Sequence, residues 1–239
     1  PGIYIHIPFC AKKCRYCDFY SCTDLDLIDS FTTALQQEMY SGYSGDSLLN
    51  WSDISGAPEY SDQLSETVPG IPGTPGLSET VPRIPPKYAD QLSKVFPECT
   101  FDTLYIGGGT PSIMPADNIV EIIETVKAQF NLLPESEITV EVNPDSVSHD
   151  WLKIVRDAGV NRVNIGVQSF NDDYLRWLGR LHSADQAINA IGAARETGFT
   201  NIGLDIIYGL AGQTDDQLKQ DLEQALNFSP EHLSCYRSE

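Results

Sequence analysis

Ile3-Tyr4-Ile5-His6-Ile7-Pro8-Phe9-Cys10-Ala11-Lys12-Lys13-Cys14-Arg15-Tyr16-Cys17 begins as an alternating run, breaks at a proline and passes directly into three cysteines. Ile3, Ile5 and Ile7 on one parity against Tyr4 and His6 on the other give the period of two that marks a strand with unlike faces. Farther on, from Asp24 to Tyr40, Leu27, Ile28, Phe31, Leu35 and Met39 recur at helical spacing, with Asp24 placed to cap the start. The opening therefore reads strand, cysteine loop, helix.

The same strand-to-helix order recurs downstream. Asp102 to Ile106 leads as a strand into Gly107-Gly108-Gly109, and Ile119, Ile122, Ile123, Val126 and Phe130 form a helical stripe. Ile138, Val140 and Val142 predict a third strand, followed by a helix opened by Ser148 through Leu152 and Val155. Val163, Ile165 and Val167 predict the fourth, with helical patterns starting at Asn171 and at Ser183, where Gln186 completes a capping box. Ile202, Leu204 and Ile206 predict the fifth, Thr214 with Gln217 starts another helix by the same device, and His232 to Tyr236 reads as a sixth strand.

Between the first helix and the glycine strand, residues 44–97 interrupt the pattern. The segment is rich in Pro, Gly and Ser and repeats itself, Leu64-Ser65-Glu66-Thr67-Val68-Pro69 returning as Leu77-Ser78-Glu79-Thr80-Val81-Pro82. Such frequent prolines forbid a regular ladder, and the sparse apolar content does not offset ordering entropy, so a disordered low-complexity insertion is expected. A partner-binding arm of extended Pro-rich segments is the functional alternative. Without the insertion, roughly 185 residues remain for six strand-helix units of about 30 each. The expected fold class is α/β, a partial (β/α)6 TIM-like barrel with parallel strands, short of the eight units that close one. An open doubly wound sheet fits the same alternation.

At 239 residues the chain suits one large domain. Lys and Arg number 15 against 34 Asp and Glu, a formal net charge of -19. That charge excludes a basic footprint for nucleic acid or an anionic membrane surface. No apolar run approaches the roughly 20 residues of a membrane span.

Three cysteines at CxxxCxxC spacing point to an iron-sulfur cluster with one iron left open, since thiolates are the usual ligands and four saturate a cubane. An open position is what distinguishes a reactive centre from a structural one. A zinc site would need a fourth ligand from Cys22 or His6, and six cysteines in 239 residues is not the density of a disulfide scaffold. In the later strands the parity opposite the apolar one carries Thr139, Glu141, Asn164, Gly166, Gln168, Gly203 and Asp205. A barrel built for stability alone would fill its interior with branched apolar residues, so one face lines something polar, and Glu141, Gln168 and Asp205 are expected at the C-terminal ends of their strands, where barrel enzymes place their sites.

Together, Tyr4-Ile5-His6-Ile7-Pro8-Phe9-Cys10, the CxxxCxxC spacing and Gly107-Gly108-Gly109-Thr110-Pro111 resemble the coproporphyrinogen-oxidase-like family of radical S-adenosylmethionine (SAM) proteins. Glu141-Val142-Asn143-Pro144, Ile165-Gly166-Val167-Gln168-Ser169-Phe170, Leu178-Gly179-Arg180-Leu181-His182-Ser183 and Asp205-Ile206-Ile207-Tyr208-Gly209-Leu210 extend the match. The resemblance implies the radical SAM form of the partial barrel. It implies a 4Fe-4S cluster on Cys10, Cys14 and Cys17, with SAM completing the open iron and being cleaved to a 5'-deoxyadenosyl radical. Tyr4, Gly108, Gly109, Thr110 and Glu141 match positions that contact SAM, Gln168, Arg180 and Asp205 match positions contacting a second SAM, and Tyr16 would pack against the adenine. No residue beyond the cluster site is implied as catalytic.

Oxygen-independent coproporphyrinogen III oxidases carry a fourth cysteine two residues after the third, and here that position is Phe19. Cys17-Asp18-Phe19 resembles instead the branch regarded as haem chaperones, which bind haem and deliver it to target proteins. The alternative is the oxidase itself, converting two propionates of coproporphyrinogen III to vinyl groups. The implied partners are haem or coproporphyrinogen III, a reductant such as flavodoxin or ferredoxin, and a haem-accepting protein. A thiolate-ligated cluster favours the reducing cytoplasm. The family continues into a smaller C-terminal domain, expected to be absent from residues 1–239, and His6, His149, His182 and His232 have no spacing that nominates a haem ligand.

Overall fold

The computed structural model describes residues 1–41 and 99–238, so the segment at 44–97 lies outside the described residues. Six parallel strands form one sheet in the order of the sequence: β1 (Gly2–Ile7), β2 (Phe101–Gly108), β3 (Leu132–Val142), β4 (Arg162–Gln168), β5 (Ile202–Tyr208) and β6 (His232–Arg237). A doubly wound sheet reverses its strand order partway across, and this one does not. β1 and β6 each have one neighbour, so the sheet is a partial barrel.

Helices α1 (Ile28–Ser41), α2 (Ala116–Gln129), α3 (His149–Asp157), α4 (Asp172–Leu178), α5 (Ala184–Glu196) and α6 (Asp215–Asn227) connect the strands among the described residues. Their starts are chemically marked. The Ser148 and Asn171 side chains accept from the first turns of α3 and α4, and both expected capping boxes, Ser183 with Gln186 and Thr214 with Gln217, are formed. Asp24 caps a single 3-10 turn, Leu25–Leu27, which then runs into α1.

The isoleucine parity of the strands is the core. Ile7, Leu104, Ile106, Val140, Val163, Ile165, Val167, Ile202, Leu204 and Ile206 lose all contact with solvent against Ile119, Ile122, Ile123, Val126, Leu152 and Val155 of the helices, and each such side chain contributes about 1.5–3 kcal/mol. The opposite parity faces inward in register. Tyr4 lies beside Tyr105, Tyr105 beside Thr139 and Thr139 beside Arg162, while Glu141 lies beside Asn164 and Asn164 beside Gly203.

Several strands exceed their expected limits. β3 starts at Leu132 because Phe101 pairs with Leu132 before the register shifts to Thr103 with Glu137. β2 includes Gly107 and Gly108, which pair with His6 and Ile7. β5 continues to Tyr208 opposite Arg237, which leaves Asp205 in mid-strand.

Candidate functional site

The cysteine loop is tied down on both flanks. At its base Cys10 N–H donates to the Cys22 carbonyl at 2.9 Å and Cys22 N–H to the Pro8 carbonyl at 2.6 Å, a parallel bridge between Phe9 and Cys22. Phe9, fully buried, meets Phe31 of α1 edge-on with ring centroids 5.3 Å apart. On the far side Arg15 N–H donates to the Leu178 carbonyl at 3.2 Å, and Tyr16 packs against a small apolar cluster of Leu178, Ile207 and Leu210. Cys10 is buried, and Cys14 and Cys17 are half-buried. Burial pushes the Cys10 thiol up, opposed by a hydrogen bond from Thr110 and reinforced by the neighbouring sulfurs of Cys17 and Cys14.

The donor set suits a cluster. All six cysteines are free, and among the described residues no three His, Cys, Asp or Glu side chains converge as a single-ion site. A cubane spreads its thiolates over separate irons, so its cysteine sulfurs stand farther apart than the ligands of a single ion. Cys22 acts through its backbone, while its sulfur meets Asp24 N–H at 3.4 Å.

Glycines let the β2 exit close on this loop. Gly109 N–H donates to the Ile7 carbonyl at 2.6 Å and Thr110 N–H to the Phe9 carbonyl at 2.7 Å. A Cβ on Gly109 would lie 2.6 Å from the Phe9 oxygen and 3.1 Å from Cys10 Sγ. Gly108 adopts φ 109, open to glycine, and a Cβ there would lie 2.5 Å from the His6 ring. Its N–H donates to Glu141 Oε2 at 2.9 Å, and the Tyr105 hydroxyl donates to Oε1 at 2.7 Å. Burial raises the Glu141 carboxyl above the usual range, with these two donors holding it back.

The opposite wall is Arg180, which follows α4 after the left-handed cap Gly179, φ 81. Its Nη2 donates to Asn143 Oδ1 at 2.7 Å and to the Gly166 carbonyl at 2.9 Å, and its Nη1 to Tyr16 Oη at 3.3 Å and Cys14 Sγ at 3.8 Å. Thr110 donates to Cys10 Sγ at 3.6 Å and accepts from Asn143 Nδ2 at 3.1 Å. Gln168 is buried with a left-handed φ of 69, where non-glycine residues rarely sit, beside Gly166, whose missing Cβ leaves room for Asn143 and Gln168. Asp205 Oδ2 accepts from Asn164 Nδ2 at 2.7 Å, and burial raises its carboxyl. A small, open cleft lies between Lys12, Cys14, Thr110, Asn143, Asp145 and Arg180.

Among the buried polar atoms without a hydrogen-bond partner here are Arg180 Nε, His182 Nδ1 and Asp205 Oδ1. Such buried donors and acceptors are met by ordered water or a polar ligand, and Arg180 lines the cleft. A molecule with ammonium, carboxylate and ribose groups, as SAM has, suits them, so the residues fit both the cluster and SAM.

The structure thus gathers Cys10, Cys14, Cys17, Tyr16, Gly108, Gly109, Thr110, Glu141, Gln168 and Arg180 around one end of the sheet, while Asp205 lies deeper, in mid-strand, on Asn164. Tyr4 lies at the rim, 56% exposed on the edge strand and hydrogen-bonded to His6 Nδ1 at 3.2 Å. Tyr16 turns its ring into the Leu178 cluster and its hydroxyl to Arg180. The sequence reading places Asn164 on the polar face and assigns no role to Asn143 or Tyr105. The signal for Asn143 and Asn164 was parity with Glu141 and Gln168, and that for Tyr105 was parity with Gly107.

Comparison with known proteins places this architecture. Residues 65–225 match the radical SAM superfamily. The chain is 32% identical over 235 residues to "Heme chaperone HemW" of Bacillus subtilis, covering 98% of this chain and 49% of the relative. It is 32% identical over 236 residues to "Heme chaperone HemW" of Escherichia coli, covering 99% and 50%. This chain therefore spans about half the length of the curated relatives it matches. Among solved structures, coproporphyrinogen III oxidase (HemN) from Escherichia coli, a radical SAM enzyme, superposes with a TM-score of 0.73 at 25% identity, over 100% of this chain and 44% of that one. Methylornithine synthase (PylB) shares the fold at a TM-score of 0.57 and 14% identity, over 100% of this chain and 53% of that one. With a sequential six-stranded parallel sheet carrying a three-cysteine loop at its open end, the chain belongs to the radical SAM superfamily.

Proposed function

We propose that this chain is the radical SAM core of a haem-delivery protein, one that keeps the cluster and SAM but gives haem to a target protein. The observation that carries the reading is Phe19. It stands two residues after Cys17, where the oxidase resemblance asks for a fourth cysteine, and its ring is 62% exposed beside the cysteine loop. Similarity to the haem chaperones over 98% of the chain supports it. The alternative, a coproporphyrinogen III oxidase, draws on the structural likeness to HemN.

Superfamily membership implies a 4Fe-4S cluster and SAM. On our reading Cys10, Cys14 and Cys17 hold the cluster, and Tyr4, Tyr16, Gly108, Gly109, Thr110, Glu141, Gln168, Arg180 and Asp205 form the surroundings of SAM. A bound cluster with one open iron supplies one-electron chemistry to the sulfonium. The protein's own part is placement. The glycine exit brings backbone N–H groups to the loop, Glu141 offers a carboxylate already fixed by Tyr105 and Gly108, and Arg180 offers a free Nε donor. Burial around Glu141 and Asp205 keeps water from competing for a ligand's polar groups.

The reading places the protein in a reducing cytoplasm, with flavodoxin or ferredoxin as reductant and a haem-accepting protein as partner; among the described residues no helix is long and apolar enough to cross a membrane. The test uses the natural full-length protein, reconstituted anaerobically with iron and sulfide and given SAM, reductant and coproporphyrinogen III. Deoxyadenosine and vinyl porphyrin are quantified beside a haem titration. A saturable haem spectrum without vinyl product is expected; deoxyadenosine matched by vinyl product would replace this reading with the oxidase.

A further inference from the structure

Asn143 joins two arms that end on two different cysteine sulfurs. Its amide Nδ2 donates to Thr110 Oγ1 at 3.1 Å, and that hydroxyl donates to Cys10 Sγ at 3.6 Å. On the other side its Oδ1 accepts from Arg180 Nη2 at 2.7 Å, while Nη1 of the same guanidinium points at Cys14 Sγ at 3.8 Å. One primary amide thereby fixes both donors.

The chemistry of each arm is directional. A threonine hydroxyl has one proton, and when Asn143 donates to its oxygen that proton is left for the sulfur. The guanidinium is a rigid planar fork, so anchoring Nη2 on Asn143 sets where Nη1 points. Asn143 is itself held. Its backbone N–H donates to Ser112 Oγ at 2.9 Å, and the absent side chain of Gly166 leaves its Oδ1 room, since a Cβ there would stand 3.0 Å away. Hydrogen bonds to cysteine sulfurs stabilise the more negative, reduced state of an iron-sulfur cluster and so set its potential.

We propose that Asn143 is a positioning residue that aims Thr110 and Arg180 at Cys10 and Cys14 and thereby raises the reduction potential of the cluster these cysteines hold. The inference rests on the cluster reading above. It assigns Thr110 and Arg180 a task at the sulfurs that is separate from contact with SAM.

The test is an anaerobic redox titration of the reconstituted natural protein without SAM, followed by electron paramagnetic resonance, for wild type, Asn143→Ala, Thr110→Val and the double variant. Asn143→Ala is expected to load the wild-type amount of iron and to show a reduced-to-oxidised ratio about tenfold lower at a fixed potential, which for one electron is about 59 mV. In the Thr110→Val background the effect of Asn143→Ala is expected to shrink, because part of its action runs through that hydroxyl. An unchanged ratio in a fully loaded Asn143→Ala protein overturns the proposal, as does strict additivity of the two substitutions. Should Asn143→Ala not load, resonance Raman spectra of the wild-type cluster in H2O and D2O decide: deuterium shifts of the iron–cysteine modes are expected, and their absence overturns the proposal. Failure of the wild type to take up iron would sink the cluster reading itself and this inference with it.

Discussion

The Tyr105 hydroxyl donates to Glu141 Oε1 at 2.7 Å while Gly108 N–H donates to the other oxygen, so a carboxylate at the mouth of the sheet is gripped from β2 on both of its oxygens. This grip binds β2 to β3 at the point where the backbone turns toward the cysteines. Tyr105→Phe leaves one carboxylate oxygen short of its donor and is expected to cost about 1–3 kcal/mol in urea unfolding. The sign of its pH dependence follows. Burial holds the folded-state value of Glu141 above its unfolded one, so ionisation costs stability as pH climbs from about 4.3. Loss of the Tyr105 donor lifts the folded value further, and the deficit of Tyr105→Phe is expected to be larger at pH 8 than at pH 4. A deficit independent of pH would assign Tyr105 to packing alone.

The cysteines separate into two classes by what their atoms do. The sulfurs of Cys14 and Cys17 lie near enough to that of Cys10 to act on it electrostatically, while Cys22 closes the loop through its N–H and carbonyl. Serine at any of the first three is expected to remove most reconstituted iron, measured per chain with the visible absorption of the cluster. Cys22→Ser keeps the backbone pair and is expected to retain it, as is Cys235→Ser on the exposed β6 strand. Iron loss on Cys22→Ser would make that sulfur a ligand.

Gly109 offers a sharper steric test than its neighbours. A Cβ would strike two carbonyl oxygens, Phe9 O at 2.6 Å and Ile7 O at 2.8 Å, and neither can swing away as a side chain can. Gly109→Ala is expected to separate β2 from β1 at the loop, lowering iron uptake at least several-fold while far-ultraviolet circular dichroism stays native, because the core lies on the other face of the sheet. Gly192→Ala, in α5 with open space at its Cβ, is the control and is expected to stabilise by about 0.5–1 kcal/mol.

Local chemistry explains what the sequence disclosed. Strand parity in Ile3, Ile5 and Ile7 and the boxes at Ser183 and Thr214 are encoded within a few residues, so they were legible without any partner. The polar face was legible for the same reason, since Glu141, Asn164 and Gln168 share a parity. What stayed hidden depends on partners far along the chain. Asn143 matters because Thr110 and Arg180 meet it from two other elements, and no spacing within residues 141–144 encodes that meeting. The left-handed φ of Gln168 was equally silent, because glutamine does not advertise that region and the register shift between Ile165 and Gln168 arises only against β5. Tyr105 reads as an ordinary strand aromatic until Glu141 is placed beside it.

Asp145 couples this wall to pH in the opposite sense to Glu141. It lies with Oδ1 3.8 Å from Nδ1 of His182, a ring with no solvent exposure whose Nε2 lies 3.0 Å from the Val167 carbonyl. Burial alone would raise the Asp145 carboxyl, but His182 and the Arg180 charge outweigh it and the net direction is down. A carboxylate depressed in the folded state contributes stability that is present above its unfolded value of about 3.9 and is lost as pH falls through the folded value. Asp145→Asn cannot ionise and lacks that contribution. The gap in urea midpoint between wild type and Asp145→Asn is therefore expected to be widest near pH 6 and to close on the acid side of pH 4. A gap that stays constant across that range would mean that the side chain acts by shape and hydrogen bonding, with its charge contributing nothing.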